Sequence, residues 1–113
     1  PISALTHATL DKVAGEPGTQ QVCRQMMLEA QAIAEKLGAS FRVSIDRRIA
    51  GGAAVGAHKT SMLQDLELGR PMEIDALVTV VQELGRLVGI ETPTIDVVLA
   101  LIQQRARVAG TYA

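Results

Sequence analysis

The sequence predicts an all-α domain of five to six helices, and three observations carry that expectation. Apolar residues return at helical spacing in one segment after another. Glycines and prolines fall where those segments stop and restart, with Pro-first and Gly-last punctuation. No stretch alternates convincingly at the strand period, and the helical segments leave no room for a sheet.

The first segment, PISALTHATLDKVAG (1–15), reads as one helix, and GEPG after it reads as a loop. TQQVCRQMMLEAQAIAEKLG (19–38) follows. It carries Val22, Met26, Ile33 and Leu37 along one stripe, with Cys23, Met27, Ala30 and Ala34 beside them. Gly38 closes this helix as its C′ residue. The Met26–Met27 pair is expected to fill core, and Cys23 to be a buried structural thiol.

SIDRRIAGGAAVGAHKT (44–60) is a helix weakened by three glycines, with Ser44 as its cap. Its GGAAVG run lacks the G-x-G-x-x-G spacing and a preceding strand, so a dinucleotide loop is not expected. Gly52 and Gly56 instead suggest a close approach between helices. TSMLQDLEL (60–68) is a short helix with Thr60 or Ser61 near its start and Gly69 at its end. PMEIDALVTVVQELGRLVG (71–89) has Pro71 placed for the first helical position and a face of Ile74, Leu77, Val81, Leu84 and Val88; Gly89 closes it. TPTIDVVLALIQQRARVAG (92–110) has Thr92 as N-cap, Pro93 after it, and Ile95, Val98, Leu99 and Ile102 facing inward.

Composition bounds the function. The 113 residues suffice for one domain, 1–113, with a single core. The net charge of −1 and the scattered Lys and Arg give no basic stripe for a phosphate backbone. With Phe41 and Tyr112 as the only aromatics, there is no stacking platform for single strands, so no nucleic-acid partner is expected. The lone Cys23 excludes an internal disulfide and a Cys-only zinc site. His7 and His58 stand far apart without a ligand-like pattern, so no metal is expected either. No apolar run reaches the roughly 20 residues of a membrane span, and a cytoplasmic location is expected. The opening PISAL, without Met, reads as the interior of a longer chain.

HKTSMLQDLELGRPMEIDAL (58–77) is the exception to this bland picture. It crowds Asp65, Glu67, Arg70, Glu73 and Asp75 around a Gly-Arg-Pro break. Ser61 and Asp65 are four apart and share a helix face. Glu73 is expected in the first turn of the next helix, where a carboxylate meets the positive helix end. Two readings stand side by side: a capped helical turn with dipole-compensating acids, or a polar pocket at the mouth of the break.

TSMLQDLELGRPMEIDAL closely resembles the C-terminal signature of the ketopantoate reductase (2-dehydropantoate 2-reductase) family. PISAL and LGRLVGIETPTIDVVLALI resemble its flanking helices, so the likeness spans essentially the whole chain. The resemblance implies a 6-phosphogluconate dehydrogenase C-terminal-like helical domain that shapes a substrate cleft. Its partner would be a missing N-terminal Rossmann domain that binds NADPH. The implied reaction reduces the ketone of a small 2-oxo acid, in pantothenate biosynthesis for 2-dehydropantoate, and a homo-oligomer is expected.

The family's general-acid Lys and nearby Asn residues match positions upstream of Pro1. No catalytic residue therefore falls in this chain, and it should be inactive alone. Ser61 matches the Ser that binds the substrate carboxylate. Glu73 matches the Glu that reaches the cofactor and reacting centre. Asp65 matches an acid read as orienting the turn. Leu10 stands about where some members place a further Asn, which puts the exact oxo acid in doubt. A free-standing helical interaction or dimerisation module without catalysis is the alternative.

Overall fold

The computed structural model describes residues 1–113 as seven helices: α1 (Ile2–Thr6), α2 (Leu10–Gly15), α3 (Pro17–Lys36), α4 (Ile45–Ala54), α5 (Ser61–Glu67), α6 (Val80–Val88) and α7 (Pro93–Val108). A π-helical turn, Asp75–Thr79, runs straight into α6. The all-α expectation holds, with one helix more than six. The first segment is not continuous, because His7 adopts a left-handed conformation (φ 57°) that ends α1 and turns the chain into α2. The expected GEPG loop is also absent: only Glu16 separates α2 from α3, and Pro17 opens α3 as its first residue.

Several predicted boundaries stand. Gly38 has φ 99° just beyond α3, and Gly89 closes α6 at φ 77°. The Ser44 hydroxyl accepts from the Arg47 amide and caps α4. Pro71 does not start a helix. It lies in an irregular connection, and the helical backbone begins at Ile74. The Gly52–Gly56 pair divides its roles. Gly52 lies against α2, where an added Cβ would meet the Ala14 Cβ at 3.8 Å. Gly56 sits beyond α4 at φ 85°, and its carbonyl accepts from the Asp11 amide at 3.1 Å.

The main core gathers Ala4 of α1, Met62 and Leu66 of α5, Met72, Ile74 and Val78 around the π-turn, and Ile95, Leu99, Ile102 and Ala106 of α7. Burial of these aliphatic side chains, at roughly 25 cal/mol per Å² of apolar surface, is what fixes α1, α5, the π-turn and α7 together. Helix α3 packs against α2, α4, α6 and α7 and links this core to the smaller α2–α4 unit. Close approach of α3 to the α6–α7 corner needs a residue without a side chain. Gly85 supplies it: an added Cβ would stand 2.9 Å from the Ile90 carbonyl oxygen and 3.1 Å from Ile33 Cδ1.

The start of α7 is held from outside. Thr92 occupies the N-cap position as expected, but its hydroxyl donates to Asp96 Oδ1 (2.8 Å) and caps nothing. The carboxylate of Glu29, on α3, accepts the amides of Thr94 (3.0 Å) and Ile95 (2.9 Å) in its place. Pro93 has no N–H to leave unpaired, so the two amides of the first turn, Thr94 and Ile95, are both satisfied by another helix.

Candidate functional site

Helices α3, α5, α6 and α7, with the π-turn and Pro1, enclose an open cavity of about 400 Å³. Its walls are mostly aliphatic, with Met26, Met27 and Ala30 from α3, Leu77, Val78 and Val81 from the π-turn and α6, and Ile95 from α7. Pro1, Thr60, Ser61 and Met62 complete the lining. An apolar cavity with a few placed polar groups is the usual form of a small-molecule site.

Local sequence decides which hydroxyl is free. Thr60 is the N-cap of α5: its Oγ1 accepts from the Leu63 amide at 3.3 Å and lies 2.5 Å from the Ser3 hydroxyl. That commitment leaves Ser61, the first helical residue, exposed at the cavity with its hydroxyl outside the capping hydrogen bonds. It can accept from, or donate to, a bound group.

The charges around the Gly-Arg-Pro break resolve one by one. Lys59 pairs with Glu67 at 2.7 Å. Arg70 folds back so that its Nε donates to Asp65 Oδ1 at 3.2 Å, while its amide donates to the Asp65 carbonyl at 2.8 Å. Asp65 thus ties down the turn after α5 by side chain and backbone together. Asp75 accepts from the Thr79 hydroxyl at 2.8 Å and the Tyr112 hydroxyl at 2.6 Å. These bonds, that of Tyr112 first, hold its carboxyl below the usual carboxylate range.

Glu73 differs. It is exposed and takes no part in these ion pairs, and it precedes the first helical turn instead of lying within it. Its carbonyl accepts from the Leu77 amide at 3.2 Å, so the residue stands at the N-cap position of the helical run. Ser61 and Glu73 line separate hollows. Ser61 faces the aliphatic cavity, and Glu73 faces a second hollow of about 490 Å³ beside Arg107 and Tyr112. This chain does not by itself bring the two predicted site residues together.

The π-turn explains a misplaced wall residue. Helical spacing put Leu77 in the core, yet Leu77 is 51% exposed while Val78 is 4% exposed. A π-turn bonds residues five apart, which widens the turn and sets residue 78 over residue 74, leaving Leu77 to the cavity. Nothing in the local composition signals that extra residue. Met26 and Met27 are likewise only half-buried and line this cavity, and Met26 also packs against the main core as expected. Cys23 is half-buried, not fully buried as expected, and burial still pushes its thiol up from the ordinary value, which makes it a poor nucleophile. His7 is exposed, with Nε2 3.3 Å from Arg105.

Comparison with known proteins agrees with the sequence motif. Residues 1–106 match the model of the family described as ketopantoate reductase PanE/ApbA C terminal. The chain is similar to a 2-dehydropantoate 2-reductase from Mesorhizobium japonicum, with 62% identity over all 113 residues. Those residues cover 35% of that relative. Among solved structures it is similar to one provisionally named as a ketopantoate reductase from Ralstonia solanacearum, with TM-score 0.92 and 42% identity over 99% of this chain and 34% of that one. It is also similar to 2-dehydropantoate 2-reductase from Geobacter metallireducens, with TM-score 0.82 and 27% identity over 91% of this chain and 35% of that one. The chain therefore spans about a third of the length of each of these relatives.

Proposed function

The chain belongs to the ketopantoate reductase C-terminal family, and from that premise we propose that it is the substrate-shaping helical domain of an NADPH-dependent 2-oxo acid reductase, with 2-dehydropantoate as the substrate and the cytoplasm as its location. The observation that carries this reading is the meeting of Pro1 and Ser61 in one cavity. Residues that precede Pro1 in a longer protein arrive at the cavity that holds the free hydroxyl. The resemblance puts a proton-donating Lys and substrate-holding Asn residues in that upstream segment.

The division of labour follows from chemistry. Reducing a 2-oxo acid needs a hydride, a proton for the developing alkoxide and a grip on the carboxylate. NADPH, held mainly by the upstream domain, supplies the hydride. Among the cavity residues only Thr60 and Ser61 have polar side chains, and Thr60 is committed to its cap. Ser61 is thus the group of this chain that donates to the substrate carboxylate. The aliphatic walls take the dimethyl-substituted carbon of the oxo acid and exclude water from it. Glu73, free of ion pairs on the neighbouring hollow, is assigned to the cofactor side of the cleft, which the upstream domain closes. The exposed Val97, Leu101 and Val108 of α7 suit a homo-oligomeric contact.

The test uses the full-length protein. Ser61→Ala should raise KM for the oxo acid about ten- to a hundredfold, the equivalent of a hydrogen bond to a charged group worth roughly 1.5–3 kcal/mol, with cofactor KM unchanged. The 113-residue chain alone should not oxidise NADPH in the presence of 2-dehydropantoate. An unchanged KM in the variant, or steady-state turnover by the isolated chain, overturns the proposal.

A further inference from the structure

We infer that Tyr112 is a positioning residue for Glu73, acting through a latch between the chain's last residues and the π-turn. The inference rests on the assignment of Glu73 to the cofactor side. The residues after α7 fold back instead of trailing away. The Thr111 amide and hydroxyl both donate to the Ala106 carbonyl, at 2.9 and 3.2 Å. This return places Tyr112 in the hollow that Glu73 and Asp75 line.

Tyr112 is then held on three sides. Its hydroxyl donates to Asp75 Oδ1 at 2.6 Å and accepts from Gln103 Nε2 at 3.3 Å. The Arg107 guanidinium lies over its ring, 5.2 Å from the centroid. Asp75 in turn accepts from Thr79, so one carboxylate spans the π-turn and connects it to α7 through the phenol. Glu73 is two residues before Asp75 and has no side-chain anchor of its own among the ion pairs. Its direction is set by the backbone at the mouth of a π-turn, a rare geometry that is frequent at functional sites. The Gln103–Tyr112–Asp75–Thr79 chain is the polar network that fixes that backbone.

The experiment compares Tyr112→Phe, Glu73→Gln and Val13→Ala in the full-length reductase. Tyr112→Phe removes only the hydroxyl, and Val13→Ala trims a buried residue distant in sequence from the hollow. Tyr112→Phe should raise cofactor KM roughly three- to tenfold and leave oxo-acid KM within about twofold, as expected when an orienting bond to a charged group is lost. The double variant with Glu73→Gln should be no worse than Glu73→Gln alone, the non-additivity of residues that act as one unit. Val13→Ala should lower thermal stability at least as much without moving cofactor KM. The latch is overturned if Tyr112→Phe leaves cofactor KM unchanged while Glu73→Gln raises it, and the assignment of Glu73 then survives. It is also overturned if Val13→Ala moves cofactor KM equally. If Glu73→Gln itself is without effect, the latch and the assignment both fall.

Discussion

Adding one methyl group at Gly85 and at Gly51 should change stability in opposite directions. Both residues lie inside helices, where replacing Gly by Ala gains about 0.8–1.0 kcal/mol from backbone entropy and propensity. At Gly51, exposed on α4 with nothing within 4 Å of an added Cβ, that gain stands alone. Gly51→Ala should therefore stabilise the domain by about 0.5–1 kcal/mol. At Gly85 the new Cβ meets the Ile90 carbonyl oxygen at 2.9 Å, Thr92 Cγ2 at 3.0 Å and Ile33 Cδ1 at 3.1 Å. The Ile33 methyl can yield, but the Ile90 carbonyl belongs to a tight corner in which the Ile90 amide donates to the Gly85 carbonyl at 2.8 Å. Overpacking of this kind costs roughly 1–3 kcal/mol, and opening the corner adds to it, so the clash exceeds the propensity gain. The net loss should be about 1–2 kcal/mol, a fall in Tm of roughly 4–8 °C for a domain of this size. Urea unfolding followed by far-UV circular dichroism measures both variants. A Gly85→Ala domain as stable as the parent would refute the claim that this corner requires glycine.

Two further outcomes follow from the helix ends. Glu29→Ala should cost about 2–3 kcal/mol, because it strips two amides at the start of α7 of a charged acceptor, and Glu29→Gln should cost less, since it keeps one acceptor oxygen; Glu35→Ala, exposed on the same helix, should stay within about 0.5 kcal/mol. Acid should weaken the domain through Asp96, whose bonds from Gln82 and then Thr92 hold its carboxyl below the ordinary value, and through Asp75, lowered by Tyr112 and then Thr79. A depressed folded-state value means the contribution is complete above the unfolded value of about 3.9 and is lost as pH falls through the lower folded one; Asp96→Asn should flatten the stability profile in that window, and a profile of unchanged slope would count against it.

The fold was legible because its helices are punctuated. Gly38, Gly69 and Gly89 stand beyond helix ends with positive φ, and Ser44 caps α4, each as local chemistry requires. What escaped was decided between elements. His7 is a far weaker signal for a left-handed break than a glycine, and nothing local marks the π-turn at Asp75–Thr79, so helical spacing points Leu77 inward; Pro71 reads as a helix start, although the helical backbone begins at Ile74. The candidate site was visible as a motif. Ser61 stood out by its spacing from Asp65 and by the family signature, and the structure adds that Thr60 takes the cap and frees it. Tyr112, Met26, Met27 and Leu77 give no sign of a site in the sequence, because each looks like core or tail until the chain is folded.

The carboxylate at the start of α7 has a consequence for how the molecule assembles. A helix capped by its own sequence can begin to form before anything else is in place. Helix α7 cannot be completed in that way, because its acceptor lies 65 and 66 residues earlier in the chain. The loop that must close to bring Glu29 to Thr94 has an entropic cost that is met only when α3 has docked. The first turn of α7 should therefore be among the last parts to become protected in refolding hydrogen exchange, later than the similarly apolar turns around Leu99 and Ile102. Variants at Glu29 should speed unfolding more than they slow folding.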